Sequence, residues 1–246
     1  MTEPIRVLVN GAKGKMGMET VRAVSGAADM RLVGETDLED DLATMIQKTQ
    51  AGVVVDFTAP HCAFQNARTI RQGGVGGVIG TTGFKPEEID SLRELCAGKS
   101  PGMIIAPNFS IGAVLMMRLA ALAAKYMPHV EIIELHHDGK KDAPSGTAIK
   151  TAQLIEEAMK EQDVPRGTIV HPARGEFHSG IPIHSVRLPG FLAHQEVIFG
   201  SDGQTLHIRH DSINRSCFMP GVLLAIREVV RRPGLTYGLE PLLFGS

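Results

Sequence analysis

The stretch that decides the fold is VLVNGAKGKMG, residues 7–17, in which an apolar run leads directly into three glycines. Gly11, Gly14 and Gly17 are spaced GxxGxxG, and a helical pattern begins among them at Lys15. Glycines at a turn from strand to helix let the backbone come close to a pyrophosphate, whose negative charge is favoured at a helix N-terminus. The stretch therefore predicts a dinucleotide-binding turn.

An acidic residue just beyond the second predicted strand supports this interpretation. Asp37 lies twenty residues past Gly17, where a carboxylate typically binds the hydroxyls of the adenosine ribose. Glu35 is a rival for the same role. The alternative is a glycine-rich turn with a solvated aspartate, but the order of strand, glycines, helix, strand and acid favours a cofactor site.

Strands alternate with helices through the first hundred residues. Valine- and isoleucine-rich runs predict strands at residues 5–9, 30–35, 52–58, 74–80 and 102–107. Helical patterns lie between them at residues 15–24, 40–50, 62–72 and 86–97. This alternation predicts an α/β fold, a doubly wound parallel sheet of the Rossmann-like kind, with ligands at the carboxyl ends of the strands.

Two further loops follow strands at that edge of the predicted sheet. GTTGF occupies residues 80–84 and APNFS occupies residues 106–110, and both are composed largely of small and polar residues that expose backbone donors. Either loop alone also suits an ordinary turn. Together at one edge they predict walls for the nicotinamide ribose.

The second half of the chain has a different character. Nine of the ten histidines lie there, and VEIIELHH and IPIHSVRLPG predict strands, followed by a hairpin over residues 194–212 that turns at residues 201–203. A last helix over residues 218–231 is expected to return to the first domain. We predict a dinucleotide-binding domain of residues 1–108 and 217–246. A smaller α+β mixed-sheet domain of residues 109–216 is predicted to bind substrate and to form oligomer contacts.

The richest cluster of polar residues is ELHHDGKKDAPSGTA, residues 134–148. A metal site is not predicted, because adjacent residues on a strand point to opposite faces, so His136 and His137 do not easily bind one ion, and no HExxH motif is present. Nucleophilic catalysis by Ser145 would need a strained turn such as GxSxG, which is also missing. These two kinds of site are therefore disfavoured.

Anion binding is the remaining interpretation of this cluster. A helix is predicted to start at Ser145, Gly146 and Thr147, so their backbone N–H groups would lie at its positive end, with Lys140 as a mobile cation upstream. A solvated loop before a helix cap explains each residue singly. The whole cluster, however, combines candidate proton donors with groups that stabilise an anion.

Composition excludes several classes of function. The 246 residues carry a formal net charge of −2, which offers no overall basic field for nucleic acid or for an anionic membrane surface. The longest apolar stretch, residues 111–127, is interrupted by Arg118 and Lys125, so no membrane span is predicted. The three cysteines are widely spaced and suit a reducing cytosol. We expect a cytoplasmic protein that acts on small molecules, without nucleic-acid or membrane partners.

The cluster at residues 134–148 resembles the signature of the dihydrodipicolinate (4-hydroxy-tetrahydrodipicolinate) reductase family of bacterial and plant lysine biosynthesis. The resemblance extends through nearly the whole chain, because further family motifs follow in order: GAKGKMG, VVVDFT, GTTGF, APNFSIGAVL, RGEFHSGIPIHSVRLPG, HQEVIFG, IRHDS and PGVLLAI. It implies a reductase that transfers a hydride from NADH or NADPH to 4-hydroxy-tetrahydrodipicolinate to give tetrahydrodipicolinate. It also implies a homotetramer joined through the sheet of the substrate domain. Because a hinged reductase must exclude water from the reaction, we also expect the two domains to close together.

The resemblance implies a role for each motif residue. His136 corresponds to the proton donor, and Lys140 to a second donor and substrate contact. His137, Gly146 and Thr147 correspond to contacts with the substrate carboxylates, beside Ser145 at the predicted helix start. The implied cofactor contacts are Gly11, Ala12, Lys13, Gly14, Lys15, Met16, Asp37, Gly80, Thr81, Thr82, Ala106, Pro107, Asn108 and Phe109.

Two other classes of function stay open on the sequence. One is a different nicotinamide oxidoreductase on the same scaffold, which a screen of substrates would separate. The other is a non-catalytic dinucleotide sensor, which would bind the cofactor without turning it over. A sensor has no need for His136, His137 and Lys140 together.

Overall fold

A computed structural model describes residues 3–160 and 171–245. Residues 1–2, 161–170 and 246 fall within the predicted domain ranges but lie outside the described residues. The strands are β1 (Ile5–Asn10), β2 (Met30–Thr36), β3 (Val53–Asp56), β4 (Gly76–Ile79), β5 (Met103–Ile105), β6 (His129–His136), β7 (Glu176–His178), β8 (Ile181–Arg187), β9 (Ala193–Ser201), β10 (Gln204–Ser212) and β11 (Leu235–Tyr237). The α-helices are α1 (Lys15–Gly26), α2 (Leu42–Thr49), α3 (Pro60–Gln72), α4 (Pro86–Cys96), α5 (Ile111–Ala124), α6 (Gly146–Ala158), α7 (Met219–Val229) and α8 (Glu240–Phe244). Among these helices none is both long enough and apolar enough to cross a bilayer.

The chain divides into two compact units. Unit 1 consists of Met1–Ile111 together with Phe218–Ser246, and unit 2 is the continuous segment Gly112–Cys217. The chain therefore leaves unit 1 after α4 and β5 and returns to it for its last elements.

Unit 1 is built on a six-stranded sheet in the order β11-β5-β4-β3-β1-β2. Every neighbouring pair is parallel. The chain order reverses at β1, because β2 lies on one side of it and β3 on the other. Sheets of this kind bind ligands at the carboxyl ends of the strands that flank such a reversal. The doubly wound fold predicted from the sequence is confirmed.

The central strands of unit 1, β3, β4 and β5, are buried on both faces, which explains their unbroken apolar runs. Val53, Val54 and Val55 of β3 have no exposed surface. Helices cover the sheet, and Leu8, Ile70 and other buried residues from α2, α3 and α4 form one apolar core with it.

The predicted strands and helices of this half are present, with ends that differ by a few residues. Two late elements, β11 and α8, carry too little pattern to be predicted from sequence. β11 is three residues long and exists because Leu235 and Tyr237 pair with Met103 and Ile105 of β5 at the edge of the sheet.

Unit 2 contains a five-stranded mixed sheet in the order β10-β9-β6-β8-β7. β6 runs parallel to β8 and antiparallel to β9. The predicted hairpin is β9 and β10, and Gly203 takes a φ of +74° in its turn. The mixed sheet predicted for the second half is confirmed.

The two faces of the unit 2 sheet differ. On the inner face, Ile132, Val197 and Phe199 pack with Ile155 of α6 and Ala120 of α5 in a buried cluster. Since side chains alternate along a strand, the intervening residues lie on the opposite face. We call that surface the open face, and it carries the half-buried apolar residues Ile133, Leu135, Val186 and Ile198.

Candidate active site

The carboxyl end of β6 carries a polar pair on the inner face of its sheet. Ile132, Glu134 and His136 alternate on that face, and Ile132 belongs to the buried core. Glu134 is 0% exposed, whereas the side chain of His136 keeps 14% of its surface at the end of the strand. A buried carboxylate therefore lies directly behind a partly accessible imidazole.

Glu134 and His136 are hydrogen-bonded through Oε2 and Nδ1. Oε1 of Glu134 also accepts the Nη2 proton of Arg187 at 2.7 Å, and Oε2 accepts from Nη1 at 2.9 Å. Burial raises the pKa of Glu134, but hydrogen bonds from His136, Arg187 and Ser185 outweigh it and lower the pKa to about 2. The ionised carboxylate can only accept, so Nδ1 of His136 holds a proton and Nε2 is the atom left to exchange one with a substrate.

Lys140 lies in the turn that follows β6, where its amide donates to the carbonyl of His137 at 3.1 Å. Its Nζ donates to both carboxylate oxygens of Asp142, at 2.8 and 2.7 Å. The hydrogen bond from Lys140 lowers the pKa of Asp142 below its ordinary value. The Lys140 side chain is 20% exposed and forms an ion pair with Asp142.

Helix α6 begins where the cluster ends. Ser145 is its N-cap, and the hydroxyl oxygen accepts from the amide of Ala148 at 3.2 Å. The amide of Ser145 donates to Glu134 at 3.1 Å, so both polar groups of this buried residue have roles within the fold. Gly146 is exposed and Thr147 half-buried in the first turn, where the helix dipole favours an anion.

Two charged residues behind His136 were not predicted from the sequence as site residues. Glu134 had a detectable signal, an acid in an apolar strand two positions before a histidine. Arg187 had none, because it meets His136 only through the pairing of β6 with β8. Its Nη2 also donates to the carbonyl of Asp142 at 2.8 Å, which ties the Lys140 turn to the end of the strand.

In unit 1 the glycine turn has the close packing that the motif predicts. Gly11 has a φ of +79°, and a Cβ there would lie 2.5 Å from the carbonyl oxygen of Phe57. A Cβ on Gly17 would lie 2.0 Å from the carbonyl oxygen of Gly11. With Gly14 as N-cap, α1 starts at Lys15, so backbone N–H groups of its first turn are presented beside a turn without side chains.

The carboxylate of Asp37 lies against this turn. Its Oδ2 accepts from the amide of Lys13 at 3.0 Å, and its Oδ1 from the amide of Leu38 at 2.9 Å. The hydrogen bond from the Leu38 amide, followed by that from Lys13, lowers the pKa of Asp37. The rival Glu35 lies inside β2, opposite Val9. The structure thus brings Asp37, and not Glu35, into contact with the turn.

A buried carboxylate links the loops at this edge. Asp56, at the end of β3, is 0% exposed and accepts from Asn10 at 2.8 Å, from Thr81 at 2.7 Å and from Asn66 at 2.9 Å. The Thr81 hydroxyl also accepts from the amide of Thr58 at 2.9 Å. This network holds the ends of β1, β3 and β4 together, and it was not predicted from the sequence.

The other predicted wall residues follow β4 and β5 as expected from their positions. Gly80 and Thr82 flank the buried Thr81, and Thr82 is exposed. Ala106, Pro107 and Asn108 follow β5, and the Phe109 ring is buried edge-on against Phe57, with ring centroids 5.8 Å apart. The residues fit a dinucleotide: a glycine turn and helix start for the diphosphate, a carboxylate for the ribose, and loops at the same edge.

Comparisons with known proteins agree with both halves of this description. Residues 5–109 match the family model for dihydrodipicolinate reductase, N-terminus, and residues 112–243 match the model for its C-terminus. A Coxiella burnetii 4-hydroxy-tetrahydrodipicolinate reductase (strain RSA 493 / Nine Mile phase I) is 53% identical over 240 residues, covering 97% of this chain and 99% of the relative. The enzyme of that name from Listeria monocytogenes serotype 4b (strain F2365) is 47% identical over 262 residues, covering 97% and 100%.

A solved structure gives the same result. The dipicolinate-bound dihydrodipicolinate reductase from Paenisporosarcina sp. TG-14 superposes with a TM-score of 0.86 at 44% sequence identity, over 98% of this chain and 100% of that one. Family models match both halves of the chain, and the two relatives are 53% and 47% identical over 97% of it. The chain therefore belongs to the dihydrodipicolinate reductase family.

Proposed function

We propose that the chain performs the reaction of its family with His136 as the proton donor, in the diaminopimelate route to lysine. The reaction converts 4-hydroxy-tetrahydrodipicolinate to tetrahydrodipicolinate. Since the product lacks the hydroxyl group, the reduction consumes one hydride and one proton and releases one water. NADH or NADPH supplies the hydride when bound.

The observation that carries the proposal is the position of His136. Its Nδ1 proton is committed to the ionised Glu134. In the imidazolium form, Nε2 at the partly exposed end of β6 carries a second proton. It gives this proton to the ring as the substrate becomes electron-rich, which leaves the neutral Nδ1–H tautomer. A positioned general acid typically contributes about 10²- to 10⁴-fold to the chemical step. A dinucleotide sensor gains nothing from this arrangement.

Unit 2 provides partners for the two carboxylates of the substrate. Lys140, fixed by Asp142, supplies a positive charge and a second proton donor. Gly146 and Thr147 in the first turn of α6, with Ser145 and His137 beside them, supply polar groups at the positive end of the helix dipole. The Paenisporosarcina relative binds dipicolinate, an aromatic analogue with the same pair of carboxylates.

Unit 1 is the proposed dinucleotide-binding domain. The turn and helix start from Gly11 to Met16 would hold the diphosphate, and Asp37 would accept from the adenosine ribose. Gly80, Thr81, Thr82 and the segment from Ala106 to Phe109 would line the nicotinamide end. The close packing of the glycine turn supports this assignment, because it leaves backbone rather than side chains facing the phosphates.

We further infer that the enzyme is a cytoplasmic homotetramer joined through the open face of unit 2. The support is the row of half-buried apolar side chains on that face, Ile133, Leu135, Val186 and Ile198. Apolar side chains that remain partly exposed together on one face of a sheet are often covered by a partner. The cytoplasmic assignment rests on the biosynthetic role of the family and on the three free cysteines.

The test is turnover of the His136→Ala variant, followed by loss of the near-ultraviolet absorbance of the reduced nicotinamide. The substrate is the product of the upstream synthase reaction. We expect kcat to fall by about 10²-fold or more with little change in KM, because a general acid acts on the chemical step. His178→Ala is the matched control, since His178 Nε2 also meets a glutamate two residues earlier on a strand, Glu176, at 2.9 Å.

The kcat of the His178→Ala control should stay within a few-fold of the parental value. Activity of His136→Ala within the same range would show that another group donates the proton. Cofactor binding by the parent without any turnover would favour the sensor.

A further inference from the structure

Glu134 contacts the proposed proton donor directly and is itself completely buried. We propose that Glu134 is a positioning residue for catalysis: it fixes the proton of His136 on Nδ1 and so leaves Nε2 as the atom that serves the substrate. The inference rests on the proposed function of His136 and adds a residue that acts through it.

The carboxylate is held so that it cannot turn away from the histidine. Oε1 accepts from Arg187 Nη2 at 2.7 Å and from the Ser145 amide at 3.1 Å. Oε2 accepts from Arg187 Nη1 at 2.9 Å and from His136 Nδ1. A buried charge whose two oxygens each accept several hydrogen bonds is rigid, and two of these bonds come from a bidentate guanidinium.

Arg187 is fixed in turn by its surroundings. It lies opposite His136 in the pairing of β6 with β8, its side chain is 18% exposed, and Nη2 also bonds the carbonyl of Asp142 at 2.8 Å. The imidazole is therefore oriented by a carboxylate that is itself oriented by strand pairing. The contacts from the strand pairing through Arg187 and Glu134 to His136 do not depend on mobile surface side chains.

Packing alone does not explain a carboxylate at this place. A buried ion pair stabilises a protein no better than apolar residues of similar volume would. A carboxylate that orients a catalytic histidine, by contrast, sets the tautomer, and its replacement by an amide lowers turnover by up to about 10⁴-fold in enzymes that depend on it. We infer that Glu134 orients His136 and sets its tautomer in the same way.

The test is a double-mutant cycle of Glu134→Gln and His136→Ala, with kcat as the readout. We expect Glu134→Gln to lower kcat by roughly 10²-fold, in line with the loss of an orienting carboxylate. In the double variant the two losses should not multiply, because a residue that acts through His136 has little left to influence once the imidazole is gone. The coupling should exceed about tenfold.

Nitrogen-15 NMR of the imidazole reads the proposed role directly. In the parent, neutral His136 should carry its proton on Nδ1, and in Glu134→Gln the population should move towards Nε2–H, since an amide can also donate. The affinity for pyridine-2,6-dicarboxylate should stay within a few-fold in both proteins. If Glu134 had a purely structural role, Glu134→Gln would leave the His136 tautomer unchanged, and the losses in kcat of the two single variants would multiply in the double variant.

Glu131→Gln is the matched control, because Glu131 lies on the same strand and contacts a histidine and an arginine, His184 at 2.8 Å and Arg174. It should retain parental kcat within a few-fold. If Glu134→Gln fails to fold in a thermal unfolding scan, Glu134→Asp replaces it in the cycle, because the shorter side chain keeps the charge but withdraws it from Nδ1.

The outcomes separate the two proposals. Multiplicative losses in either cycle, or an unchanged tautomer, would overturn the positioning role while a slow His136→Ala keeps the proposed function intact. A fully active His136→Ala variant would instead remove the proposed function itself.

Discussion

The Asp37 carboxylate places a negative charge beside the glycine turn. The hydrogen bonds from the Leu38 and Lys13 amides lower its pKa, so it is ionised at neutral pH. An ionised carboxylate accepts well from the ribose hydroxyls of NADH and repels the extra phosphate of NADPH. Lys13 and Lys15 are exposed in the same turn and are positioned in sequence to offset that repulsion as point charges.

We therefore predict that both cofactors support turnover, with NADH equal to NADPH or modestly preferred. Because contacts between exposed charges are screened by salt, raising the ionic strength should lower kcat/KM for NADPH more than for NADH. Lys13→Ala and Lys15→Ala should selectively lower kcat/KM for NADPH, and Lys48→Ala on α2 is the control. A strong NADPH preference that neither lysine nor salt alters would contradict the assigned role of Asp37.

Candidate site residues could be proposed from the sequence where they lie close together in it. His136 and Lys140 lie within one short motif, and the glycines mark their own turn. Arg187 could not be found in this way, because it joins Glu134 only after β8 pairs with β6. The Asp56 network is of the same kind, since its donors come from strands and helices far apart in the chain.

At the scale of one element, the start of α1 depends on the missing side chain at Gly17. A Cβ there would lie 2.0 Å from the Gly11 carbonyl oxygen, whereas a Cβ on Gly26 at the other end of α1 meets nothing within 4 Å. We predict that Gly17→Ala lowers cofactor affinity by at least about tenfold, because the turn must shift where backbone should approach the diphosphate.

Gly26→Ala is the control within the same helix. It should bind cofactor like the parent and unfold at an equal or slightly higher temperature, since alanine favours helix over glycine by up to about 1 kcal/mol. Fluorescence titration with NADH measures the affinity of both variants. Equal affinity in Gly17→Ala and Gly26→Ala would show that the turn does not hold the diphosphate.

Whole elements were predictable in proportion to the strength of their own pattern. The buried strands of unit 1 are continuous apolar runs, and the helices between them begin and end near their predicted limits. One longer helix, α5, was not predicted, because all of its residues except Arg118 are apolar or glycine and they form no amphipathic stripe. The other cases that failed are short: β7 and β11 have three residues each, and α8 has five. Such elements are stabilised by neighbours that are remote in sequence.

At the scale of the molecule, the open face of unit 2 carries the prediction of a tetramer. Ile198 lies on β9 opposite Glu131 of β6 and His207 of β10, in the interior of the sheet. We expect the parent to be a tetramer by light scattering and Ile198→Arg to dissociate into smaller species, because an unpaired charge is costly to bury in an interface.

Leu38→Arg is the control, because it also replaces an aliphatic side chain by arginine, at a residue of unit 1 that is 90% exposed. It should remain tetrameric. Light scattering that gives Ile198→Arg and Leu38→Arg the same particle mass would show that the open face does not join subunits. A parent that is monomeric at all concentrations would show the same.

The interruption of unit 1 by unit 2 has a consequence for synthesis on the ribosome. A nascent chain completes the continuous Gly112–Cys217 segment before α7 and β11 emerge. The roughly 130 residues between Ile105 and Leu235 delay the edge partner of β5 by about 6 to 26 seconds at a synthesis rate of about 5–20 residues per second. During that interval the backbone of Met103–Ile105 has no β11 to pair with, and an unpaired apolar edge invites association with other chains. Slow translation of the last segment should therefore make new chains depend more on chaperones than the stability of the finished enzyme suggests.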